Sequence, residues 1–188
     1  MIKVDLKSRS IHLMGSTITI SILHEDADSL LDQVFSLLRL YEKRFSANDD
    51  SSELMQINHA AGKHAVCVHP DLFELIELGK KHSLAPDSHL NITLGPLVQT
   101  WRIGFADAKV PSPKEIKQAL ALTDPECIEL DAATSSVFLT MEGMKIDLGA
   151  LAKGYIADKI AAFLRGQGVT SALINLGGNI LTIGLNEK

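Results

Sequence analysis

The segment Met144 to Asn179, MKIDLGALAKGYIADKIAAFLRGQGVTSALINLGGN, restricts the fold more than any other part of this chain, because a helical apolar period passes into a strand period with only glycines as punctuation. A short apolar run, Met144 to Ile146, precedes Asp147, whose carboxylate suits the unpartnered N–H groups of a helix start. From there Leu148, Leu151, Tyr155, Ile160, Phe163 and Leu164 return to one face as far as about Arg165, where Gly166 and Gly168 supply a stop. Ser171 to Leu176 then reads as a strand, Gly177-Gly178 as a tight turn and Ile180 to Ile183 as the returning strand.

The first turns of the expected helix are unusual. Gly149 and Gly154 fall inside the helical pattern, at a cost of roughly 1 kcal/mol each relative to Ala, and Ala150, Ala152 and Ala157 remove bulk around them. Two readings account for this: close packing of helix on sheet, or approach of a ligand to the backbone. Lys153, a lone cation beside a helix N-terminus already suited to anions, favours the second.

Elsewhere the chain mixes strands and helices. Ile2 to Leu6 and Ile11 to Leu23 read as strands joined by a turn at Lys7 to Ser10, and Met14 lies in the second, either as core filling or as something more specific. Asp26 to Phe45 is the clearest amphipathic helix, with Leu30, Leu31, Val34, Leu37, Leu38 and Tyr41 on one stripe. Ser52 caps a helix from Glu53 to about Ala61, His64 to Val68 is a short strand, and Asp71 to Ser83 is a helix. Gly95-Pro96 opens a helix through Trp101, Ser112 starts a short one over Glu115 to Leu122, and Cys127 to Leu130 pairs with Ser136 to Thr140 across the turn at Asp131. Elements in this mixed order, with hairpins at both ends and no linker, predict an α+β fold in one domain over residues 1–188.

Composition excludes several classes. With 46% hydrophobic and 22% charged residues the chain is ordinary and globular, and 188 residues suffice for one large domain or two small ones. A net charge of −5 without a basic run argues against a nucleic-acid partner, so any anion must be held locally. The seven histidines show no ligand spacing, and Cys67 and Cys127, each alone in apolar context, read as buried free thiols. No apolar run is long enough for a membrane span or signal peptide, and the chain as given reads as cytoplasmic.

The run Asp147-Leu-Gly-Ala-Leu-Ala-Lys153-Gly-Tyr155, followed by Asn175-Leu-Gly-Gly178, resembles the signature of the FAD:protein FMN transferases, the ApbE family. Met14-Gly-Ser-Thr17, Phe45-Ser46 with Ser52-Glu-Leu54 and Asn58, and Thr93-Leu-Gly-Pro-Leu97 with Trp101 are similar to the family in the same order, so the resemblance covers nearly the whole chain. It implies antiparallel sheets with helices on one side, an architecture of the tunnelling type. It also implies transfer of FMN from FAD to a Thr hydroxyl of a target flavoprotein through a phosphoester bond, with Mg²⁺.

By the same resemblance Met14, the segment His89-Leu90-Asn91, Asp147 and Lys153 contact the nucleotide, and the main-chain oxygen of Ala150 is one Mg²⁺ ligand; no catalytic residue is named. Two departures stand out. Asn48 replaces an aromatic residue common in the family, which removes a stacking contact, and Asn91 replaces an Asp, which keeps hydrogen-bonding shape without charge. The remaining metal ligands of the family, an Asp and a Thr, lie further along the family chain than Lys188, so the chain reads as C-terminally incomplete. The alternative expectation is therefore a non-catalytic FAD binder or fragment. Family members are often exported lipoproteins.

Overall fold

Alternation in Ser16–Leu23 and Ser171–Leu176 builds the first layer of the structure, a computed structural model that describes residues 5–184. Strands β1 (Leu6–Leu13), β2 (Ser16–Leu23), β6 (Ser171–Leu176) and β7 (Asn179–Ile183) form a fully antiparallel sheet in the order β1-β2-β6-β7. Its register sets Ile18 opposite Leu176, Ile20 opposite Ile174 and Ile22 opposite Ala172, so one face carries a continuous buried apolar row. Helices α1 (Ala27–Phe45) and α6 (Ala152–Gly166) bury Leu30, Leu31, Val34 and Leu38, and Ile156, Ala157, Ile160 and Leu164. The other face of the sheet carries hydroxyl pairs, Ser8–Ser21 at 2.6 Å and Ser10–Thr19 at 2.8 Å, beside exposed Leu173 and Ile180.

These elements belong to one compact unit, residues 1–43 with 152–188; residues 44–151 form the second. The second unit holds a three-stranded antiparallel sheet in the order β3-β5-β4, from β3 (Val66–Cys67), β4 (Ile128–Asp131) and β5 (Ser136–Leu139). Its helices are α2 (Glu53–Ala60), α3 (Pro70–Ser83), α4 (Gly95–Trp101) and α5 (Pro113–Leu120), with a 3₁₀ turn at Pro125–Cys127. Ser52 accepts the Met55 N–H at 3.0 Å, and Ser112 and Glu115 form a capping box, as the sequence pattern predicts. The α+β class and the antiparallel pairing of the sheets therefore hold.

Three local expectations need correction. The first hairpin turns at Met14-Gly15, with φ of 51° and 67°, and not at Lys7 to Ser10. Polar residues there form an edge strand whose hydroxyls pair across to β2, whereas the glycine supplies the positive φ that a two-residue hairpin turn requires. Ile2 to Val4 of the expected first strand lie outside the described residues.

The second correction concerns Asp147. It does not cap α6, which begins at Ala152, because its N–H donates to Ile92 O at 2.8 Å and its Oδ1 accepts the Gly149 N–H at 2.8 Å. Tertiary pairing holds residues 144–148 out of the helix, and a turn closed by Leu151 N–H to Leu148 O at 2.9 Å precedes it, so Gly149 is a turn residue. Third, the cysteines are free, but Cys67 is exposed and Cys127 only partly covered, since β3 is a two-residue edge strand.

Candidate functional site

In the first unit, Lys153 comes to lie beside the two glycine-bearing turns. Both hairpin turns of the sheet, Met14-Gly15 and Gly177-Gly178, stand at the same end, because Ile18 pairs with Leu176 just behind them. Gly177 (φ 63°) and Gly178 (φ 97°) make the second turn possible, and Asn175 Oδ1 accepts the Gly178 N–H at 2.9 Å. A β-carbon on Gly177 would stand 2.6 Å from Ser16 Cβ and 3.1 Å from Lys153 Nζ. The ammonium, the Ser16 hydroxyl and the bare turn backbone thus share one small surface. No carboxylate among the described residues forms an ion pair with Lys153.

Gly154, one residue on, answers the question raised by its place in a helix. A β-carbon there would meet nothing within 4 Å, so close packing does not demand the glycine. Beyond the β-carbon position of Gly154 lies open space. Met14 sits at the turn with its N–H donating to Glu42 Oε1 at 2.7 Å, a bond from the hairpin to α1 that no sequence period announces.

In the second unit, three adjacent residues of the run 144–148 are fastened one by one. Gly95 packs so tightly on Lys145 that an added β-carbon would stand 2.6 Å from its carbonyl oxygen. Ile146 is gripped by buried Asn58, which accepts its N–H at 2.8 Å and donates to its carbonyl at 3.1 Å. Asp147 bonds to Ile92, as above. Consequently the segment that carries Asn91 and the segment that carries Asp147 lie side by side, and Gly149 and Ala150 protrude into solvent. Asn58 stands in the sequence as part of a family-like pattern, but its clamp spans 88 residues and is invisible to local reading.

Asn91 is held by three hydrogen bonds. Its Oδ1 accepts from Thr93 N (2.8 Å) and Thr93 Oγ1 (2.6 Å), and its Nδ2 donates to Thr123 O (2.8 Å). His89 is exposed and Leu90 half-buried in the irregular connection before α4. Among the described residues no group of three or more His, Cys, Asp or Glu side chains could hold a metal ion. Ala150 is exposed. No helix among the described residues is long and apolar enough to cross a membrane.

Comparison with known proteins agrees with this arrangement. The profile of the ApbE family matches residues 14–188. A FAD:protein FMN transferase of Klebsiella pneumoniae (strain 342) is 48% identical over 177 residues, 94% of this chain and 56% of that relative. One from Treponema pallidum (strain Nichols) is 39% identical over 165 residues, 85% of this chain and 46% of its own length. The chain spans about half the length of the curated relatives it matches. Among solved structures, the flavin transferase ApbE from Vibrio cholerae superposes with a TM-score of 0.89 at 24% identity, over 98% of this chain and 61% of the other. The apbe protein of Thermotoga maritima gives 0.89 at 23%, over 97% and 60%. With the Asp147 to Tyr155 signature, the two glycine turns and the antiparallel fold all in place, this chain belongs to the ApbE family.

Proposed function

We propose that this chain acts in FAD:protein FMN transfer, as a single ApbE-like flavin transferase domain over residues 1–188, moving FMN from FAD to a threonine hydroxyl of a target flavoprotein. The threonine oxygen forms a bond to the flavin-side phosphorus, the pyrophosphate P–O bond breaks, AMP departs and the hydroxyl proton is released. The observation that carries this reading is the Lys153 ammonium beside the Gly177 turn, unpaired with any carboxylate among the described residues. A cation so placed offsets phosphate charge, and that charge is the main obstacle to attack on a pyrophosphate.

Met14 and the segment His89-Leu90-Asn91 would line the nucleotide, with Asp147 oriented by its Ile92 and Gly149 bonds. Magnesium dependence belongs to the same reading. The Ala150 carbonyl would be one of several donors, and the ion would supply charge neutralisation at the pyrophosphate. A second reading is FAD binding without transfer.

One experiment separates the two. The chain is incubated with FAD, Mg²⁺ and a target peptide bearing its acceptor threonine, and the peptide is weighed by mass spectrometry while FAD binding is followed by fluorescence. Addition of the mass of FMN, abolished by chelation, supports transfer. Saturable binding without that increment supports the second reading, and no binding below about 1 mM defeats both.

A further inference from the structure

Met14 is one of four non-glycine residues among those described with positive φ, at 51°, and its N–H is held by a carboxylate from a different element, Glu42 on α1. Left-handed backbone at a side-chain-bearing residue is sparsely populated and persists only where its surroundings enforce it. Glu42 lies near the end of a 19-residue helix and is half-buried, so its carboxylate is a fixed acceptor for the turn. The next strand residue, Ser16, stands where Gly177 could carry no side chain, and Gly177 in turn borders Lys153 Nζ. A chain of contacts therefore runs from Glu42 through Met14 and Ser16 to Gly177 and Lys153, all within one unit.

The geometry points to Glu42 as a positioning residue that locks the Met14-Gly15 turn and, through Ser16, preforms the surface on which the nucleotide settles. The bond is charge-assisted and 2.7 Å long, the class of hydrogen bond with the largest net effect. Its role is preorganisation: a turn already held in the bound conformation spares the ordering cost of binding. This rests on the reading that the Lys153 surface takes FAD.

The test compares Glu42→Ala, which removes the acceptor, with Glu42→Gln, which keeps an oxygen in place, on the full chain. Amide hydrogen exchange at Met14 should rise about tenfold or more in Glu42→Ala and much less in Glu42→Gln, with Thr19 and Ile20 in the adjoining strand unchanged. FAD titration should show about tenfold weaker binding for Glu42→Ala and near-complete rescue in Glu42→Gln, with a melting temperature close to the parent's in both. Unchanged Met14 exchange in Glu42→Ala overturns the lock, and unchanged FAD affinity beside faster exchange overturns its link to binding. An equal rise in exchange across β2 would show a general structural role and overturn the proposal as well. If the parent chain binds no FAD, the functional reading fails and the preformed-surface proposal falls with it, while the exchange arm still reports whether Glu42 locks the turn.

Discussion

Ser16 occupies the space that a side chain on Gly177 would need: its Cβ lies 2.6 Å from the position a Gly177 β-carbon would take. Two residues far apart in sequence thus determine each other's size, and Gly177 also borders Lys153 Nζ. Gly177→Ala combines this clash with a β-carbon at φ 63°, so it should destabilise the chain by about 2–3 kcal/mol. Gly178→Ala meets open space and carries only the backbone penalty, about 1 kcal/mol. Urea unfolding of the two variants measures the difference, and equal midpoints would remove the steric argument.

Lys153→Ala should weaken FAD binding about tenfold or more, because an ammonium facing phosphate makes a strong charge-assisted contact. The melting temperature should stay within a few degrees, since no ion pair among the described residues depends on it. A large fall in melting temperature would instead assign the lysine a packing role.

At Gly154, stability and function should move in opposite directions. Gly154→Ala replaces a helix-interior glycine where the β-carbon meets nothing, so thermal unfolding should show a gain of about 0.5–1 kcal/mol. The same methyl group fills open space on the helix turn that carries Lys153, and FAD titration should show weaker binding. A variant both stabler and fully competent in binding would mean that the space is not used.

Asn58→Ala leaves the N–H and carbonyl of buried Ile146 without partners. Two lost hydrogen bonds in the interior predict a destabilisation of about 2–4 kcal/mol, read as a lower urea midpoint. Exchange of the Ile146 amide should accelerate with it.

Acid should spare the cap of α5 until unusually low pH. The Lys109 ammonium first, and the Ser112 N–H and hydroxyl with it, hold the Glu115 carboxyl at about 2, well below the usual glutamate range. Because the folded-state value is depressed, its contribution is complete above the ordinary glutamate value and is lost as pH falls through about 2. A carboxyl titration by NMR should place the Glu115 midpoint near 2, and Lys109→Ala should move it upward.

Local chemistry was legible wherever a residue's own neighbours decide its conformation. The amphipathic stripe of α1, the Ser52 and Ser112 caps, and the Gly177-Gly178 turn follow from periods and side-chain preferences that act over a few residues. The long signature likewise carried the family. What the sequence alone could not settle depends on partners distant along the chain. Asp147 has the chemistry of a helix cap, but the Ile92 carbonyl takes its N–H and delays α6 to Ala152. Lys7 to Ser10 is polar enough for a turn, but Thr19 and Ser21 pair with its hydroxyls and make it a strand. In each case a hydrogen bond closed by tertiary folding outweighs a local preference worth about 1 kcal/mol or less, and such a bond exists only once the two segments have been brought together.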